Sequence, residues 1–173
     1  MTGPTAAPSA WVVNGWTIYP HPMFLGQLVE LVDEVEKLRK TDPEGYTRKN
    51  ATKRLAAIFK LVNETIPSDP TDKAFRLGGA LGDDYKHWFR AKFFQQYRLF
   101  FRYDERSKII VVGWVNDEET LRAYGSKTDA YRAFAKMLAD KNPPDNWEAL
   151  LKEAKAATNS VAGIVKRLAS LLK

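Results

Sequence analysis

Two periods of hydrophobic recurrence divide this chain. After His21 and Pro22, the residues Phe24, Leu28, Leu31, Val32, Val35 and Leu38 recur at helical spacing through Arg39, one apolar stripe of a surface helix. Leu55, Ile58, Phe59, Val62 and Ile66 form a second stripe. Its helix is announced by Thr41-Asp42-Pro43-Glu44, a capping-box pair with proline in the first turn, and is ended by Pro67-Ser68-Asp69-Pro70. A short strand is expected over Phe75 to Leu77. From Trp88 to Asp117 the period changes to two, and WFRAKFF, YRLFFRY and IIVVGWVND read as three successive strands. Downstream, Thr128 or Asp129 caps a helix carrying Tyr131, Phe134, Met137 and Leu138, which stops before Asn142-Pro143-Pro144. Asp145 caps another helix starting at Trp147. Val161, Ile164, Val165, Leu168, Leu171 and Leu172 then share one side of a terminal amphipathic helix, which either docks onto its own domain or meets a protein partner.

Two helices, a sheet and then more helices predict an α+β domain with helices packed on one sheet face. Residues 1–10, small and proline-containing, are expected to be a disordered lead-in, with the folded domain over 11–157 and the amphipathic helix over 158–173.

Side-chain parity constrains the strand pairing, because a one-residue slip turns a whole apolar set to the opposite face. A three-residue loop at Phe94-Gln95-Gln96 sets Ala91 opposite Leu99 and Phe89 opposite Phe101, and keeps Arg90 and Lys92 out of the core. A two-residue loop would bury both charges, at several kcal/mol each. A four-residue loop at Asp104 to Ser107 sets Phe101 opposite Ile110, Leu99 opposite Val112, Tyr97 opposite Trp114 and Arg98 opposite Gly113. The expected sheet therefore has one apolar face and one open face bearing Arg90, Lys92, Arg98 and Arg102. There Gly113 either admits a close ligand backbone or marks a bulge.

Composition fits that face. The 173 residues carry a net charge of +6 with a pI near 9.4, which favours acidic partners such as nucleic acid. Absent cysteines exclude disulfides, thiolate metal sites and a cysteine nucleophile, and two histidines make a histidine-rich metal site improbable. No run of about 18 apolar residues and no signal-peptide pattern is present, so a cytoplasmic protein is expected, without a membrane span or a cofactor. Gly78-Gly79-Ala80-Leu81-Gly82 lacks the Lys-Ser/Thr of a phosphate loop.

An arginine-rich sheet face supports RNA cleavage by the RNA's own 2′-hydroxyl. That reaction needs a base for the hydroxyl proton, positive charge for the phosphorus centre, and an acid for the leaving 5′-oxygen. Arg98, Arg90 and Lys92 supply the charge. Tyr124, Tyr131, Lys92 and His87 are candidates for proton transfer, although Tyr131 equally reads as core and His87 as a polar residue at a strand edge. Arg122 and Tyr124 follow the last strand, where they can reach a phosphate or stack on a base. Arg102, Trp114, Asn116, Lys127 and His87 complete the expected RNA-contacting set. The acids Asp117, Glu118 and Glu119 read as loop-solvating or helix-capping rather than as metal ligands.

The blocks NGWTIYPHPMF, YTRKNATKRLAAI, YRLFFRY, GWVNDEETLRAYGSKTDAY and NPPDNWEAL together resemble the YhaV-type toxins of bacterial toxin–antitoxin systems, over roughly residues 13 to 151. That family is similar in turn to the RelE-like fold, a small antiparallel sheet with helices on one face. The resemblance implies a metal-independent endoribonuclease that cleaves mRNA, on the ribosome, and inhibits translation. Its implied partner is a PrlF-like antitoxin of the AbrB-related, swapped-hairpin type, in a hetero-oligomer. It also implies that Arg98, in the Tyr-Arg-Leu strand, contacts the scissile phosphate, with Arg90 and Lys92 serving beside it. RelE-like enzymes use an arginine and a tyrosine just after the last strand; this chain instead has Asn116-Asp117-Glu118 there, and Arg122 and Tyr124 are the residues to which those roles transfer. The alternative is a basic module that occludes RNA or a ribosomal site without cutting.

Overall fold

The computed structural model describes residues 10–121 and 129–172. The chain opens with a hairpin, β1 (Trp11–Val13) and β2 (Trp16–Pro20), closed by Asn14-Gly15 with both residues at positive φ, 51° and 82°. Asn-Gly between apolar residues is the strongest short hairpin signal, because both central positions of this turn need left-handed backbone. Helix α1 (Pro22–Thr41) follows, capped by the His21 ring, which accepts the Met23 N–H.

The capping box expected for the second helix is not formed. Asp42 instead terminates α1, and its carboxylate accepts the Gly45 N–H at 3.0 Å. Helix α2 (Asn50–Lys60) therefore starts later, and it runs on through a π-helical stretch, Leu61–Thr65, into the single turn α3 (Ile66–Ser68). Phe75 to Leu77 is not a strand but a 3-10 turn, Lys73–Phe75, followed by one bridge from Arg76 to Phe89.

Strands β3 (Phe89–Phe93), β4 (Tyr97–Asp104) and β5 (Ile109–Val115) complete a five-stranded sheet in the order β1-β2-β5-β4-β3. It is mixed rather than antiparallel, because β2 pairs with β5 in parallel. The β3–β4 register is the expected one, with Ala91 facing Leu99 and Phe89 facing Phe101. The β4–β5 register is not. Asp104 pairs with Ile109 and Phe101 with Val112, and a bulge between Phe100 and Phe101 leaves Gly113 unpaired, so Trp114 faces Phe100. A two-residue slip preserves parity, so Leu99, Phe101, Ile110 and Val112 still share the inner face. The bulge reverses it, sending Trp114 to the other side.

Helices α4 (Ala130–Ala139), α5 (Trp147–Ala156) and α6 (Thr158–Leu171) follow. Asp129 caps α4 as expected, whereas Asn146 rather than Asp145 caps α5. One core lies between the inner sheet face and α1, α2 and α6, with Phe24, Val32, Leu55, Leu99, Phe101 and Leu168 buried in it. A second core fills the opposite face, where Trp88, Phe100, Val111 and Trp114 pack beneath Tyr131 and Phe134 of α4 and Leu150 and Ala154 of α5. The expectation of one open face is thus corrected. With the bulge in place, both faces present large apolar side chains, and each needs its own helical cover. Helix α6 docks on its own domain: Tyr46 Oη donates to Leu171 O at 2.9 Å, and Arg167 pairs with Asp33 and Glu36 of α1.

Candidate functional site

The second core leaves one end of the sheet for the basic residues. Lys92 and Arg98 face each other across β3–β4, with Arg90 opposite Phe100 on the same side. Asp129 accepts the Tyr131 N–H at 3.1 Å, starting α4 so that Tyr131 lies over these strands. The Tyr131 hydroxyl oxygen then accepts from Arg90 Nε at 3.0 Å and from Arg98 Nε at 3.1 Å. Arg98 is buried, 8% exposed, and its Nη1 donates to Gln95 O at 2.6 Å and Tyr97 O at 2.9 Å. Arg90 Nη1 donates to Ala74 O and Arg76 O, at 3.1 and 2.5 Å.

Among the described residues, the acceptors of these two guanidinium groups are all neutral oxygens. Among the described residues no carboxylate pairs with either arginine. A buried cation that is hydrogen-bonded but not charge-compensated attracts an anion strongly, and a guanidinium edge matches phosphate oxygens. Lys92 is exposed beside the pair.

The other expected contacts are distributed elsewhere. Asn116, 2% exposed, is a staple: its Oδ1 accepts the Arg98 N–H at 2.6 Å, and its Nδ2 donates to Gln96 O and Thr120 O. It holds the strand bearing Arg98 rather than facing solvent. Trp114 is core, stacked on Phe100 and Phe134 with centroids 6.0 and 5.7 Å away. Arg102 lies between the rings of Trp88 and Trp147, 5.6 and 5.2 Å from their centroids, and its Nη1 donates to Asp145 O at 2.5 Å. Burial pushes its pKa down, and the Asp145 carboxylate opposes that shift. Arg102 thereby ties the sheet to α5. His87 is half-exposed, its Nε2 2.6 Å from Asp145 Oδ1, which also accepts Trp88 Nε1 at 2.9 Å. Asp117 caps the turn Glu118–Thr120, the capping alternative for those acids. Arg122, Tyr124 and Lys127 lie outside the described residues.

Gly113 does not open the sheet to a ligand. A Cβ there would stand 2.9 and 3.1 Å from two ring carbons of Trp88, which fills the space above the bulge. Tyr131 gains most from the structure: the helical stripe marks it as core, and its sequence position gives no sign of the two arginines on its hydroxyl. No group of three or more His, Asp or Glu residues able to hold a metal stands together among the described residues.

Residues 18–155 match the family model of YhaV toxins, described as toxins with endonuclease activity, of toxin–antitoxin systems. The chain belongs to this family. It is 52% identical over 143 residues to the ribonuclease toxin YhaV of Escherichia coli strain K12, covering 82% of this chain and 93% of that protein. Identity and coverage are the same for toxin YhaV of Escherichia coli O157:H7. No solved structure matches. The YhaV family span contains Arg90, Lys92, Arg98 and Tyr131, whereas β1 and α6 lie outside it.

Proposed function

We propose that this chain is the ribonuclease toxin of a toxin–antitoxin pair, cutting mRNA on translating ribosomes through a site formed by Arg98, Arg90, Lys92 and Tyr131. The observation that carries this reading is the convergence of two guanidinium groups on one tyrosine hydroxyl, with no carboxylate paired to either among the described residues. The RNA 2′-oxygen attacks phosphorus and forms the new P–O bond while the bond to the 5′-oxygen breaks, leaving a 2′,3′-cyclic phosphate and a 5′-hydroxyl. Arg98 and Lys92 carry the charge that accumulates on the non-bridging oxygens, where preorganised cations act most strongly because they need no reorganisation. Arg90 shares this role and anchors Tyr131. The Tyr131 hydroxyl, in contact with both arginines, acts in proton transfer, and Arg122 and Tyr124, which precede α4 in the chain, keep the roles that the family pattern suggests. No step uses a metal. The RelE-like fold and a PrlF-like antitoxin, bound in a hetero-oligomer, belong to the same proposal.

The test is induced expression of wild type, Arg98→Ala and Tyr131→Phe, with primer extension on a cellular mRNA. Wild type creates new 5′ ends. Arg98→Ala abolishes them, and Tyr131→Phe slows their appearance by about 10²–10⁴-fold, the usual weight of one proton-transfer group. Growth arrest without new 5′ ends would favour the non-cleaving RNA- or ribosome-binding module. Naked RNA and programmed ribosomes, each with EDTA, separate ribosome and metal requirements.

A further inference from the structure

The turn that holds Arg98 has a second side. Phe94 and Gln95, between β3 and β4, both adopt left-handed backbone, φ 45° and 62°, and Phe94 is 53% exposed. A bulky aromatic residue at positive φ is strained, and an exposed one gains little burial in return; strain of this kind concentrates at binding sites. Phe94 borders a groove of about 320 Å³ lined also by Tyr97, Asn50, Lys53, Arg54 and Glu118. The Tyr97 ring is fixed there by stacking on Phe93, 5.1 Å between centroids, and by the Arg54 guanidinium 6.0 Å from its centre. Arg54 is ion-paired with Glu118 at 3.3 Å, and among the described residues exposed Lys53 has no ion pair at the groove.

This groove and the proposed phosphate site share the β3–β4 turn. Arg98 Nη1 is bonded to the carbonyls of Gln95 and Tyr97, so one turn carries the cation on one face and the aromatic rings on the other. Aromatic rings with an exposed cation and an amide at the rim suit a nucleobase: the rings offer a stacking surface, Lys53 a phosphate or carbonyl contact, and Asn50 an edge donor and acceptor. We propose that the groove binds a base of the single-stranded RNA next to the phosphate held at Arg98, with Phe94 as its stacking platform. This rests on the nuclease reading above. An apolar peptide partner would also find aromatic rings here, but the exposed lysine and the turn shared with Arg98 favour RNA.

The test uses the full-length chain and short 2′-O-methyl RNA, which lacks the attacking hydroxyl, with 2-aminopurine at one position and an abasic analogue as control. Wild type quenches the 2-aminopurine fluorescence. Phe94→Ala loses the quench and binds about 10-fold more weakly, as expected for one stacked base, and Phe94→Tyr restores both. With the abasic RNA, wild type and Phe94→Ala bind equally. Equal loss on both RNAs, or no loss on either, overturns the proposal. So does a Phe94→Ala chain that binds RNA normally but loses its antitoxin, which would give the groove to a protein. Failure of the two readings is distinguishable. A wild type that quenches but never cleaves unmodified RNA refutes only the nuclease, and a Phe94→Ala chain that cleaves and binds as wild type refutes only the groove.

Discussion

Replacing Gly113 by alanine tests whether that glycine serves the core or a ligand. The added Cβ would lie 2.9 Å from Trp88 Cζ3 and 3.1 Å from Cη2, whereas carbon atoms pack best at about 3.5–4.0 Å. Relief requires a displacement of roughly 0.5–1 Å by the ring or the strand. The ring has little room. Trp88 is 0% exposed, its Nε1 is held by Asp145 at 2.9 Å, Phe134 stands edge-on to it at 5.0 Å, and Arg102 covers its face. Overpacking of this kind costs about 1–3 kcal/mol. For a chain of this size, about 2 kcal/mol lowers Tm by roughly 4–8 °C. Thermal melts followed by circular dichroism would measure it, on Gly113→Ala alone and combined with Trp88→Phe. The smaller ring makes room for the methyl group, so the alanine should cost little in the Trp88→Phe background, a coupling of about 1–2 kcal/mol. The reasoning is refuted if Gly113→Ala melts with wild type, or if both backgrounds lose the same amount. Unchanged Tm with weakened RNA binding would restore the ligand-approach role.

Three further outcomes follow from the same geometry. His21 Nδ1 accepts the Met23 N–H and Nε2 lies 3.0 Å from Glu153; burial lowers its pKa, outweighing the carboxylate, so the folded state favours the neutral ring. Its contribution is complete above the unfolded pKa of about 6.5 and is lost as pH falls from there through the depressed folded value, so Tm should drop over that interval, and His21→Asn, which retains a capping oxygen, should flatten the drop. Lys92 is exposed at the phosphate site, so Lys92→Ala should weaken single-stranded RNA binding and reduce the log K against log [salt] slope by about 0.7 in a titration series. Leu168 of α6 is fully buried, and Leu168→Ala should destabilise by about 2–5 kcal/mol in urea unfolding, whereas a helix that merely awaited a partner would tolerate the change.

The helical stripes, the cap at Asp129 and the β3–β4 register were legible because each rests on local chemistry. The competing two-residue loop would have buried Arg90 and Lys92, so energetics distinguished the registers. Between β4 and β5, pairings two residues apart keep the same faces inward, and pattern alone could not separate them. A glycine in a strand reads equally as a bulge or as a close ligand approach, and the bulge opposite Phe100 and Phe101 decides where Trp114 goes. The Asn14-Gly15 turn is a local hairpin signal, but the parallel pairing of β2 with β5 joins segments some 90 residues apart, which no local period reports.

By itself the sequence determined an α+β chain with a basic, arginine-bearing hairpin and the family that hairpin belongs to, because periodicity, capping and motif residues are written in neighbouring positions. Only the tertiary structure decided which of those cations remain at a site. Covering the second sheet face with α4 and α5 commits Arg102 to a tryptophan clasp and Trp114 and Asn116 to the interior, and it brings the Tyr131 hydroxyl onto Arg90 and Arg98. The physical reason is that a guanidinium group's role depends on which acceptors surround it. Those acceptors come from Ala74 and Arg76, from the β3–β4 turn and β4, and from α4, segments that meet only when the chain has folded.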